Sequence, residues 1–115
     1  MTEKDKSILN TIKKLLGIAS DYKNFDTDII ININTVFMTL HQLGVGPKEG
    51  FHIESDKEVW DDYISDEDNL DAVRTYVYLK VKLLFDPPLN GTVMESLRQQ
   101  IQEYEWRLNI QSEEV

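Results

Sequence analysis

Cysteine is absent from this 115-residue chain, which excludes disulfide staples, thiolate nucleophiles and zinc sites of the cysteine type. Histidine is scarce: His41 and His52 are the only two, and neither stands at a spacing that metal or nucleophile chemistry uses. No phosphate-cradling glycine loop and no serine in a nucleophile motif occur. An enzyme is therefore not expected, and neither is a cofactor or a metal. Basic residues are also short, 12 against 21 acidic, for a formal net charge of −9. Such a surface repels phosphate, and no basic recognition helix is present, so a sequence-specific DNA-binding domain is the weakest of the available classes. No apolar run approaches the roughly eighteen residues that cross a bilayer. The start, MTEKDKSILN, lacks the cationic opening and apolar core of a signal peptide, so a cytosolic protein with no membrane contact is expected.

What is present is an ordinary globular balance, 41% hydrophobic and 29% charged, which argues against wholesale disorder. One domain over residues 1–115 is expected, with its stability coming from packing. The most loaded segment is LDAVRTYVYLKVKLLFDPP, from Leu70 to Pro88. Leu70, Val73, Val77, Val81 and Leu84 recur at helical steps, yet Tyr76, Tyr78, Leu79, Leu83 and Phe85 add bulk on further faces. Such a helix is either wrapped centrally by its own neighbours or partly buried against another subunit. Asp86, Pro87 and Pro88 end it.

Around this helix the periodicity predicts others. The first runs from about Lys4 to Leu16, with Ile8, Leu9, Ile12, Leu15 and Leu16 on one face, lysines elsewhere, and Gly17 as its stop. The second, capped by Asp26 or Thr27, extends to about Leu43 with Ile29, Ile33, Val36, Phe37, Leu40 and Leu43 inward. A short helix through Trp60 and Tyr63 is capped by Ser55 or Asp56. The last begins near Gly91 or Thr92 and carries the seam Met94, Leu97, Ile101, Tyr104 and Leu108, fitting an antiparallel return along the preceding helix. Trp106 falls off that seam, so it covers an edge of the core or serves as an interface anchor, edge packing being preferred. The polar segment 108–115 is expected to be a mobile tail. The result is an all-α bundle of four to five helices with one long irregular loop.

That loop, GVGPKEGFHIES from Gly44 to Ser55, is broken by Gly44, Gly46, Pro47 and Gly50, with a possible short strand at residues 51–53. Either it is a simple crossover or it carries function. The acidic cluster of Asp61, Asp62, Asp66, Glu67, Asp68 and Asp71 lacks the central glycine and terminal glutamate of a calcium loop and reads as a solvated turn.

The order LLGI, DIIININ, QLGVGPKEGFHI, EVWDDYI, VYLKVKLLFDPP and EWRLNIQ, from about Leu15 to Gln111, resembles the small head-tail connector, or adaptor, proteins of tailed bacteriophages and prophages. These are packing motifs rather than catalytic ones, and their ordered series carries the resemblance. It implies a mostly helical structural protein that forms a ring of about a dozen copies beneath the portal protein, extending the DNA channel toward a downstream neck, stopper or tail protein. DNA would pass without specific binding. Its place would be the host cytoplasm during assembly and then the head–tail junction of the virion.

Within that frame the residue pattern, and not the family, nominates Tyr76, Tyr78, Leu83 and Phe85 for subunit contacts. Val45, Pro47, Phe51, His52, Trp60, Trp106 and Arg107 are nominated for partner contacts. The competing class is a small acidic prophage regulatory module that binds one protein partner through Phe51, Trp60 and Trp106.

Overall fold

A computed structural model describes residues 5–64 and 67–113. Among them the chain forms five helices in order: α1 (Ile8–Leu15), α2 (Asp26–Gln42), α3 (Trp60–Tyr63), α4 (Glu67–Phe85) and α5 (Gly91–Glu113). The all-α bundle expected from periodicity is what forms, and each helix lies within a few residues of its expected span. Lys4, the expected start of α1, lies outside the described residues. So do Asp66 and the side chains of Glu67 and Asp68 in the acidic run.

The helix α4 occupies the middle and packs against α1, α2 and α5. This resolves the question its crowded circumference raised: most of its bulk is enclosed by its own chain. Leu70, Val73, Tyr76, Val77, Leu79 and Val81 are buried, meeting Ile29, Ile33, Val36, Phe37 and Leu40 of α2 and the α5 seam of Leu97, Ile101 and Leu108 in one core. Only the C-terminal turn of α4 escapes, where Leu84, placed on the inward stripe by its spacing, is 48% exposed.

Helix ends are set locally. Ser7 caps α1 by accepting from the Asn10 N–H at 3.2 Å, and Asn90 caps α5 by accepting from Thr92 and Val93. The other two expected caps differ. Phe25, whose ring has no acceptor to offer, stands at the N-cap of α2, while Asp26 begins the helix with its carboxylate paired to Lys13. Val59, not Ser55 or Asp56, precedes α3, and the Asp62 carboxylate accepts its N–H at 3.0 Å.

Lys13 is the main departure from the α1 pattern, which places the lysines outside. It is fully buried, its Nζ donating to the carbonyls of Tyr22 (2.7 Å) and Ser20 (3.2 Å) and pairing with Asp26 Oδ1 at 2.7 Å. Two carbonyls accept from the ammonium and the Asp26 carboxylate supplies the opposite charge, which is what burying that charge requires. The α1–α2 connection is thereby tied to both helices.

No strand forms at 51–53 among the described residues. Instead the Asn34 side chain of α2 imitates a strand partner, donating to the Ile53 carbonyl at 2.9 Å and accepting the Ile53 N–H at 2.8 Å. A β-bridge joins Ser7 and Val59, flanked by bonds from the Ile8 N–H to the Glu58 carbonyl and from the Trp60 N–H to the Lys6 carbonyl. At the other end, the expected mobile tail is helical to Glu113. Leu108 is buried, and Asn109 and Ser112 donate to the Leu43 carbonyl at 3.3 and 2.8 Å, using an acceptor left over at the C-terminus of α2. Glu114 and Val115 lie outside the described residues.

Candidate functional site

The long loop is held close to the bundle. Phe51 is half-buried and completes an aromatic trio with Phe37 and Tyr63, the ring centroids 5.3, 4.5 and 5.2 Å apart. The Tyr63 hydroxyl donates to the Val45 carbonyl at 3.4 Å, and burial pushes its pKa up. Gly46 is required here: its φ is +92°, and a Cβ would lie 2.6 Å from the Tyr63 ring. Val45 and Pro47 are half-buried, whereas His52 projects outward with Nε2 3.6 Å from Glu54 Oε1. A small cleft bounded by Asn34, Phe37, Met38, His41, Gly50, Phe51 and His52 follows the outer edge of this loop.

At the loop's far end, Glu58 anchors the approach to α3. Partial burial raises its pKa, but the backbone N–H groups of Glu54, Ser55 and Glu58 itself, with the Ser55 hydroxyl, outweigh that and hold it below the ordinary carboxylate value.

The nominated subunit-contact residues divide. Tyr76 is fully enclosed, its hydroxyl donating to Glu105 Oε2 at 2.7 Å while Lys80 Nζ lies 3.5 Å from the same oxygen. Burial, together with the bond to the Glu105 carboxylate and its charge, pushes the phenol pKa up, so Tyr76 stays neutral and serves as a polar link between α4 and α5. It offers no surface to a neighbour. Tyr78, Leu83 and Phe85 are half-buried and do reach the surface.

The nominated partner residues divide in the same way. Trp60 is wholly buried, its indole N–H donating to Thr11 Oγ1 at 3.3 Å, and so it is part of the core rather than an anchor. Trp106 is 65% exposed, which corrects the preferred reading of it as an edge-packing residue. Arg107 beside it is exposed and paired with Glu103 at 2.9 Å.

One cluster escaped the sequence reading. Tyr22, Phe25, Ile31 and Leu84 are all exposed and collect around Phe85: the Phe25 ring centroid is 5.6 Å from Tyr22 and 5.4 Å from Phe85. The available signal was Ile31, which lies off the inward stripe of α2 yet is apolar.

Among the described residues no three of His, Asp and Glu converge on a possible cation position. None of the described helices is long and apolar enough to cross a membrane. What remains is a small α-helical domain whose notable surface features are apolar and aromatic side chains, the profile of a protein that acts by assembling with others. Residues 8–115 match the family of phage connector proteins, and the chain belongs to that family. No curated protein and no solved structure matched. Membership assigns a structural, virion-component role of the connector type, not a catalytic one.

Proposed function

We propose that this chain is a head–tail connector that closes into a ring of about a dozen copies below the portal, extends the DNA channel and offers an attachment point to a downstream neck, stopper or tail protein. The observation that carries the reading is the family match over residues 8–115. The surface is compatible with it. Trp106 and the half-buried Tyr78 and Leu83 are apolar groups available to other chains, and a net charge of −9 per copy lets duplex DNA pass without adhering. Assembly takes place in the host cytoplasm, and the mature location is the head–tail junction. The competing regulatory module is weakened, since Trp60, one of its three anchors, is inaccessible.

Native mass spectrometry of the protein with and without portal particles tests the proposal. A closed species of about a dozen copies, alone or on the portal, is expected. A concentration-independent monomer or dimer that ignores the portal overturns it.

A further inference from the structure

The cluster around Phe85 gathers outward apolar side chains, three of them in direct ring contact. Ile31 is 59% exposed and Leu84 48%, and with Phe85, Asp28 and Asn32 they line an open groove between the N-terminal half of α2 and the last turn of α4. Phe25 and Tyr22 continue it onto the α1–α2 connection. That connection is pinned from beneath by Lys13 through the Tyr22 carbonyl and Asp26. The groove is therefore built on a braced segment, and its aromatic wall is already in place. Core packing explains none of Ile31, Leu84 or Phe25, because each leaves much of its side chain in solvent.

Charge narrows the occupant. Asp28 sits in the groove and Asp21 precedes Tyr22, both exposed. Among the described residues no cation lines the groove, and those on the flanking segments have acidic neighbours: Lys82 pairs with Asp86 at 2.8 Å, Lys23 lies 3.8 Å from Asp56, and Lys13 is buried on Asp26. The place of Asp28 in the first turn of α2 suits the helix dipole without any ligand. The apolar groups beside it are what that explanation leaves over.

A second copy docked face to face would bring the same carboxylates together, on a chain already at −9. A copy docked head to tail through its exposed Trp106 would bring Glu103, which has already taken the adjacent Arg107. We propose that this groove binds an apolar segment with flanking basic residues from a different protein. Leucine-like side chains would fill the space between Ile31, Leu84 and Phe85, and a lysine or arginine would face Asp28. Phe85 then belongs to this partner face rather than to a subunit contact. The inference stands apart from ring formation and survives or fails independently of it.

The test uses the full chain with two synthetic probes, a short amphipathic leucine–lysine peptide and its leucine–glutamate counterpart, followed by NMR chemical-shift mapping and titration. Shifts from the lysine peptide are expected to cluster on residues 21–32 and 82–86. Binding should weaken about tenfold in Ile31→Ser, as for loss of one buried apolar side chain, and several-fold in Asp28→Lys. Leu84→Ser provides a second exposed lesion, and circular dichroism confirms that each variant remains folded. Shifts spread over the acidic surface at large, equal binding of the glutamate peptide, or indifference to both Ile31→Ser and Leu84→Ser overturns the proposal. A homodimer lost in Ile31→Ser also overturns it, by assigning the face to a second copy.

Discussion

The two tryptophans of this chain occupy regions built on opposite terms. Trp60 opens α3 against α1, with no exposed surface, and its single polar atom is satisfied by Thr11, whose own hydroxyl donates to the Ser7 carbonyl at 2.6 Å. Trp106 lies on the outer side of α5, 65% exposed, next to the solvent-facing Arg107 that pairs with Glu103 of the same helix. One opens a single-turn helix and the other sits about two turns before the end of α5, and composition treats them alike. The difference shows that aromatic bulk in one chain is either enclosed to hold the fold or left in solvent. What sorts them is the path of the segment that precedes each one. Trp60 is drawn inward because residues 58–60 are tied to residues 6–8, whereas Trp106 is placed on a long helix whose inward seam is already filled by Ile101 and Leu108.

Trp60→Ala is the most damaging way to test this contrast, with an expected loss of about 3–5 kcal/mol of unfolding free energy, measured by urea denaturation. A loss comparable to that of a surface site would mean that the inner region does not depend on Trp60. Next is Asp26→Ala, which strands the buried Lys13 ammonium with carbonyls alone. It should cost about 3 kcal/mol, whereas Lys13→Met, which removes the charge and keeps the bulk, should cost clearly less. Equal losses would show that the ion pair itself, rather than the burial of an unpaired charge, sets the stability of the α1–α2 connection.

A smaller effect is expected from acid. The Glu58 pKa is held below its unfolded value, so the folded state binds its proton less readily than the unfolded state does. The stabilisation is complete above the unfolded pKa and is lost as pH falls through the folded one. Glu58→Gln should therefore narrow the gap between stability at neutral and acidic pH, read from thermal melts across the carboxylate range. An unchanged gap would assign the acid sensitivity to other carboxylates. The smallest effect on folding is expected for Trp106→Ala, within about 0.5 kcal/mol of the parent protein. If the ring reading is correct, the same variant impairs assembly; a large folding defect would place Trp106 with Trp60 after all.

Much of the architecture is legible in the residue pattern because helical period and helix punctuation are local. The Ile29, Ile33, Val36, Phe37 and Leu40 stripe is inward as its spacing requires. Asp86–Pro87–Pro88 ends α4, and the α5 seam returns antiparallel. The misplacements have a common origin in long-range polar bonds. Asn34 meets Ile53 nineteen residues away and so replaces a strand. Asn109 and Ser112 reach Leu43 from more than sixty residues on and so continue a helix where a tail was expected. Lys13 turns inward because three oxygens of the following connection happen to converge on it, and no periodicity encodes that.

The candidate surfaces were less legible than the fold. Of the residues nominated for contacts, Tyr76 and Trp60 are interior, while Trp106, Arg107 and His52 are exposed. Apolar bulk in a pattern says that a side chain needs cover without saying whose. The connector resemblance, the helix count, the missing cysteines and the −9 charge follow from residue identity and local spacing alone. Which tryptophan faces inward follows from the tie of residues 58–60 to residues 6–8, which lysine is buried follows from the oxygens of the α1–α2 connection and Asp26, and the gathering of Phe25, Ile31, Leu84 and Phe85 into one groove follows from how α2 and α4 cross. That crossing is set by side-chain packing between segments distant in the chain, which no local pattern records.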